Sequence, residues 1–225
     1  MPSFAGFTDV LPDPINTIGS AGQAGGTPGP GFKGIKLQSI DILMNTTTNS
    51  GRRNTKAATY HKWGIDITYN AMTQAEFAPI YSFLLMKKHT LVPFFVEIPE
   101  LNTEDPGLPV LVGNHWRGDD KVLVNTASFG LTPPLYFTLG APTKIYMVTR
   151  AETNTNSAIY SPTIDVDEEL LHITPSLAND STGGSALDFQ SMRFYVRQVG
   201  NTSYTIDNKN LYTFSLKLEE VPTNG

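Results

Sequence analysis

Cysteine is missing from the whole chain. That removes disulfide frameworks, thiolate metal centres and cysteine nucleophiles together. Charge is scarce too: 16% of residues are Asp, Glu, Lys or Arg, against about 25% in ordinary soluble domains. The balance is mildly acidic, with 16 basic and 21 acidic residues. A protein that coats nucleic acid needs a basic stripe to displace counterions, so no nucleic-acid partner is expected. No apolar run approaches the roughly 20 residues that span a bilayer. The opening MPSFAGFTDV has neither the basic nor the apolar segment of a secretion signal. A water-soluble protein with no membrane partner is the expectation.

The chain has 225 residues, 19 Gly and 16 Pro. That length supports one larger domain or two small ones and a core that needs no covalent staple. A surface poor in charge repels neighbours weakly and can be covered by other subunits at small desolvation penalty. A sandwich or barrel with neutral loops has the same composition.

Residues 1–33 read as an extended Gly/Pro-rich arm, ending GQAGGTPGPGFKG. It cannot bury enough apolar surface to fold alone, yet Phe4, Phe7, Val10, Leu11 and Ile15 suit an arm laid over a neighbouring subunit. In GIKLQSIDILMN (34–45), Ile35 and Leu37 share one parity and Ile40, Ile42 and Met44 the other, which suggests a bulge or two strands. A polar loop at 46–58 with Arg52, Arg53 and Lys56 follows. Then Trp63, Ile65, Ile67 and Tyr69 alternate with Gly64, Asp66, Thr68 and Asn70, the period of a strand with one face buried and one wet. A helix is expected over 73–89. Thr73 and Glu76 form a capping box, Met72 and Phe77 a staple, and Lys87, Lys88 and His89 would complement the helix dipole. Pro79 should kink its first turns. A strand over 90–99 closes this part.

Residues 101–185 change texture, with short strands PVLVG, KVLVN, LYFTLG, KIYMVTR, IYSPTIDV and LLHITP between turn signals. That spacing points to a small inserted barrel or sandwich, and SLANDSTGGS (176–185) reads as the linker out of it. MRFYVRQV and NLYTFSLKLEEV then return to long alternation and should complete the earlier sheet. The expected fold class is mainly β. A discontinuous β-sandwich or split-barrel domain (34–100 and 186–222) carries one packed helix and an inserted small β-barrel-like domain (101–185).

Signals for chemistry are sparse. His61, His89, His115 and His172 lack paired spacing, so no metal site and no cofactor are expected. Asp165 and Asp167 would share one face of a strand and could suit a hard cation, though a solvated strand edge explains them more simply. No nucleophile, base and orienter can be assembled, so no catalytic residues are assigned.

The run GRRNTKAATYHKWGIDITYNAMTQAEFAPIYSFLLMKKHTLVPFFVEIP, with TKIYMVTR and LYTFSLKLEEV, resembles structural proteins of tailed-phage virions, of the distal-tail ring type in tail tips and baseplates. The resemblance covers roughly 50–150 and 205–220. It implies a virion protein assembled in the host cytoplasm, a homo-oligomeric ring, often a hexamer, joining the tail tube to the hub and peripheral baseplate proteins. It implies no catalytic residues. Phe4, Phe7, Arg52, Arg53 and Lys56 are the interface candidates. Two other readings remain open. One is a carbohydrate-binding module stacking sugars on Trp116 and Tyr136. The other is a polysaccharide hydrolase using Asp165, Asp167 or Glu168.

Overall fold

The computed structural model describes residues 9–12, 32–98, 101–102, 109–125, 133–140, 144–153, 164–190 and 192–221. In chain order the elements are β1 (Phe32–Thr47), β2 (Arg53–Tyr69), α1 (Gln74–Met86), β3 (Phe94–Glu97), β4 (Val110–Leu111), β5 (Lys121–Asn125) and β6 (Leu135–Leu139). They continue with β7 (Ile145–Thr153), β8 (Glu168–Thr174), β9 (Leu187–Asp188), β10 (Arg193–Gln198), β11 (Tyr204–Ile206) and β12 (Tyr212–Glu220). The protein is mainly β with one helix among the described residues. It divides into two compact units: one holds the described residues up to Glu97 and from Tyr195 on, the other spans Ile98–Phe194.

The first unit is a sheet in the order β1-β2-β12-β10-β3, with β11 paired to the start of β12. The late strands therefore enter the sheet begun by the early ones, as the matching alternation of 192–197 and 212–218 implied. Trp63, Ile65, Ile67 and Tyr69 are buried, as are Phe214, Leu216 and Leu218 on β12. Register pairs Ile65 with Leu218 and Ile67 with Leu216, so one continuous apolar face forms across the two strands. Helix α1 supplies Phe77, Ile80, Phe83 and Leu84 to the same core. The Phe83 and Phe94 rings meet edge to face at 5.3 Å. Each such side chain contributes about 1.5–3 kcal/mol by leaving water.

The capping of α1 follows the sequence expectation. The Thr73 amide and hydroxyl both donate to the Glu76 carboxylate, at 2.7 and 2.8 Å, and Met72 is buried beside the helix start. Met72 also exchanges two backbone hydrogen bonds with Tyr212, which ties the helix entry to β12. The helix runs on through Pro79. Its far end differs from expectation. It stops at Met86, and Lys87 pairs with Asp9 instead of lying along the last turn. Lys88 and His89 take left-handed φ values of 51° and 52° and reverse the chain toward β3.

Two further corrections concern β1 and β2. The loop expected over 46–58 is a tight turn: Thr48 caps it by accepting from the Gly51 and Arg52 amides, and β2 already begins at Arg53. The parity change between Leu37 and Ile40 is not a bulge either. Ladder pairs run without a break from Gly34–Thr68 to Asp41–His61, and the register shifts lie on either side of that run, between Phe32 and Gly34 and between Asp41 and Leu43. Ile35 and Leu37 pair with Ile67 and Ile65 on the core face, whereas Ile40 covers Gly64 on the other. A Cβ at Gly64 would meet the Ile40 Cδ1 at 2.9 Å. The expected wet face of β2 is thus locally buried.

The second unit is an antiparallel sheet in the order β4-β5-β8-β7-β6-β9. Its two ends meet: Val110 bridges Ala186, the Leu187 amide donates to the Pro109 carbonyl, and the Leu111 amide donates to the Ser185 carbonyl. The sheet is therefore a nearly closed small barrel. Its core holds Val122, Val124, Phe137, Tyr146, Val148, Leu171, Ile173, Leu187 and Phe189. Closure removes the strand edges that an open sheet would present. Residues 176–185, expected to be a linker, are stitched into this unit instead. His115 and Ser181 exchange both backbone hydrogen bonds, and Leu177 is buried with its amide on the Asp119 carbonyl.

Candidate functional site

Two features stand out, one in each unit. The first is the hairpin of β1 and β2. Only Gly64–Thr68 of β2 pair with β12, so the outer hairpin pairs with itself alone among the described residues. The register jumps from Asp41–His61 to Leu43–Ala57, leaving three residues of β2 opposite one of β1. This break separates a basal ladder from a distal ribbon, 43–47 against 53–57, with Arg52 in its exposed turn and Arg53 exposed at the start of β2. Lys56 lies on the ribbon opposite Met44. A bulge of this size bends a strand pair and increases its twist.

The hairpin also leaves β1 as a terminal strand of the sheet. The opposite terminal strand, β3, is covered within the chain. The Leu11 amide donates to the Phe95 carbonyl, the Phe95 amide donates to the Asp9 carbonyl, and Leu11 is 3% exposed. Lys87 fastens this short segment through Asp9. So the described part of the expected N-terminal arm lies on its own sheet, and Phe32 and Lys33 already belong to β1. Phe4 and Phe7 fall outside the described residues. Among the described residues, the outer edge of β1 pairs with no strand.

The second feature is a cleft of ≈ 340 Å³ in the barrel unit, lined by Val112, His115, Asp119, Asp120, Lys121, Leu123, Ile164 and Leu170. Its floor follows from strand parity. Val122 and Val124 point into the barrel core, which turns Lys121 and Leu123 of β5 outward. Leu123 pairs with Leu170 of β8 in register, so two leucines form an apolar floor on the barrel's outer wall. The rim is the turn after β4. There His115 Nε2 accepts the Leu123 amide at 3.3 Å, which places the proton of the neutral ring on Nδ1, facing the Asp119 carboxylate at 3.8 Å. Asp119 accepts the Trp116 amide at 2.8 Å, and Asp180 accepts the Arg117 amide at 2.7 Å. The Gly118 amide donates to the Leu177 carbonyl. The rim turn is thus held from both flanks, while its Trp116 side chain is 62% exposed.

Chemically the cleft offers carboxylates, an ammonium and aliphatic walls. The Nε2 lone pair of His115 is engaged by a backbone amide, and no hydroxyl side chain is among the lining residues. Beside the cleft, the outer face carries Glu152 and His172, joined at 2.8 Å, with Arg150 on the same Glu152 oxygen at 3.0 Å. The His172 hydrogen bond, then Arg150 and Lys121, hold the Glu152 carboxyl below its ordinary range against the opposing effect of burial.

The other sequence candidates are scattered. Asp165 and Asp167 do not share a strand face. They sit exposed in a turn before β8, closed by Glu168, whose amide donates to the Asp165 carbonyl and whose carboxylate accepts the Asp165 amide. Tyr136 lies on β6, which stands opposite β5 in the cyclic strand order, so Trp116 and Tyr136 do not form one platform. Burial raises the Tyr136 hydroxyl pKa. His61 bonds Ser39 Oγ at 2.9 Å and packs edge-on against Trp63. Among the described residues no group of three or more His, Asp or Glu could hold a metal ion, and no helix is long and apolar enough to cross a membrane. Sequence reasoning singled out His115 and Trp116 but missed Lys121, Leu123 and Leu170. The signal available was leucine at the outward parity of two strands that pair.

A family model described as ATP synthase regulation matches residues 21–75. It spans the β1–β2 hairpin and ends at the start of α1, about a quarter of the chain, and includes no residue of the cleft. No curated protein matches this sequence.

Proposed function

We propose that the protein is a non-enzymatic virion component of a tailed phage. Copies assemble into a ring that joins the tail tube to the hub and carries peripheral baseplate proteins. The observation behind this reading is the unequal treatment of the two sheet edges in the first unit. The short edge at β3 is covered by Asp9–Leu11, whereas the 16-residue edge of β1 is unpaired among the described residues. Long bare edges recruit strands from other chains, and proteins that work alone blunt them.

A closed ring needs heterologous contacts, one patch of a copy meeting a different patch on the next. The basic turn at Arg52 and Arg53 and the acidic turn at Asp165 and Asp167 are exposed and opposite in charge. They are the pair assigned to that contact, with strand addition along β1 supplying the rest. Such charges choose partner and register more than they supply affinity.

The test is particle mass and negative-stain microscopy of the full chain at micromolar concentration. Rings of uniform mass are expected. The double variant Arg52→Glu, Arg53→Glu should dissociate them, and adding Asp165→Lys with Asp167→Lys should restore them. A wild-type chain that stays monomeric at every concentration rules the reading out. Rings that ignore the charge reversal rule out the assigned contact.

A further inference from the structure

The barrel cleft has no part in the assembly reading, and its composition points to a ligand. We propose that it is a saccharide site. The apolar face of a neutral pyranose lies against Trp116, which stands outside the lining on the turn between the lining residues His115 and Asp119, and its hydroxyls bond Asp119, Asp120 and Lys121.

Three observations carry this. The first is a large exposed aromatic side chain on a turn that cannot easily move. Trp116 is 62% exposed, yet the turn is tied through the Trp116, Arg117 and Gly118 amides and through the paired backbone bonds of His115 and Ser181. An exposed indole on a loose loop would lose rotamer and backbone freedom on binding; one on a tied turn has already lost most of the backbone share. The second is the mixture of charges. Asp119, Asp120 and Lys121 are consecutive residues of the cleft lining. A ligand of single charge leaves one sign of this set facing a like charge. A hydroxyl donates and accepts at once, so neighbouring hydroxyls satisfy a carboxylate and an ammonium with the same group, and a lysine can donate three bonds. The third is the aliphatic share of the lining. Val112, Leu123, Ile164 and Leu170 offer C–H surface with no polar side-chain atom, which suits the axial C–H groups of a sugar ring. The volume, ≈ 340 Å³, lies at the small end of the range for ligand sites, enough for one or two rings.

His115 is a positioning residue here. By accepting the Leu123 amide it turns its N–H toward Asp119, which orients that carboxylate at the cleft. Tyr136, on the opposite strand of the barrel, has no part in the site.

The experiment applies the full-length protein to an array of neutral, amino and uronic-acid saccharides. Calorimetric titration follows with the strongest neutral hit and with glucose, galactose and N-acetylglucosamine oligomers at millimolar concentration. Binding of a neutral saccharide is expected. Trp116→Ala should weaken it at least tenfold, Trp116→Tyr should restore part of the loss, and Asp120→Asn should weaken it several-fold. Tyr136→Phe should leave it unchanged. The Trp116→Ala melting temperature should match wild type, because the ring is solvent-exposed, so lost binding cannot be ascribed to unfolding. Silence toward every neutral saccharide, hits confined to charged sugars, or full affinity in Trp116→Ala would each overturn the assignment. None of these outcomes bears on ring formation, which is read by particle mass.

Discussion

The two units solve the same problem, burying one face of a twisted sheet, in opposite ways. The barrel unit curls its sheet until β4 meets β9, so nearly every strand has two neighbours and all of it comes from one stretch of chain. The first unit keeps its sheet open, covers one face with α1, covers the β3 edge with Asp9–Leu11, and takes its two central strands, β12 and β10, from the end of the chain. The closed unit is complete in itself. The open one depends on distant segments, and among the described residues the outer edge of its β1 pairs with no strand. Self-sufficiency and dependence on distant segments are thus divided between two parts of one molecule.

The strongest way to break this comparison is to separate the parts. A fragment of residues 98–194 should fold alone, with a cooperative thermal transition and dispersed amide resonances. A fragment of residues 1–97 should not, because it has β1, β2 and β3 without the two strands that lie between them. If both fold, or only the second, the contrast fails. Next come core truncations. Phe137 in the barrel and Phe83 in the helix are both 0% exposed, and changing either to Ala should cost about 3–5 kcal/mol. Calorimetry should show each variant lowering the transition of its own unit. Glu220→Ala removes the acceptor of the buried Trp63 amide, held at 3.0 Å, and should cost about 1–3 kcal/mol in the first unit only.

A pH titration sharpens the contrast from the barrel side. The folded Glu152 carboxyl lies below its ordinary value of 4.5, first through the His172 hydrogen bond. A depressed folded pKa gives stability that is fully present above the unfolded value and is lost as pH falls through the folded one. The barrel transition should therefore weaken as pH drops below about 4.5, and Glu152→Gln should flatten that dependence without altering the first unit. The smallest effects belong to exposed apolar positions. Leu91→Ser in one unit and Val166→Ser in the other, at 67% and 85% exposure, should each change stability by less than about 0.5 kcal/mol in chemical denaturation.

Much of the fold is legible in the local pattern of residues. The alternation at 63–69 and 212–218, the Thr73–Glu76 cap and most of the short-strand rhythm of 110–174 mark elements whose hydrophobic period is set locally, and these formed where periodicity put them; of the expected strand IYSPTIDV, residues 159–163 lie outside the described residues and 164–166 lead into a turn. Positions governed by distant partners carry no such mark. The Ile40 side chain looks misplaced in β1 until Gly64 is seen across the ladder to receive it. Residues 176–185 look like a linker because most of their bonds go to backbone groups near 111–119, which leave no side-chain pattern. The cleft was half legible: His115, Trp116, Asp119 and Asp120 are conspicuous residue types, but Leu123 and Leu170 resemble ordinary strand residues until register pairs them on the outside.

By itself, the order of residues determined which stretches alternate, where the helix begins, and that the last strands must return to the first sheet. Those outcomes depend on burial of side chains two or four positions apart, an interaction short enough to leave its period in the chain. Tertiary structure alone decided that the barrel closes, that Asp9–Leu11 covers β3 while the outer edge of β1 pairs with no strand among the described residues, and that three polar residues meet two outward leucines at one cleft. Each of these rests on backbone hydrogen bonds or register between segments far apart in sequence, and such bonds are made by groups that every residue carries alike.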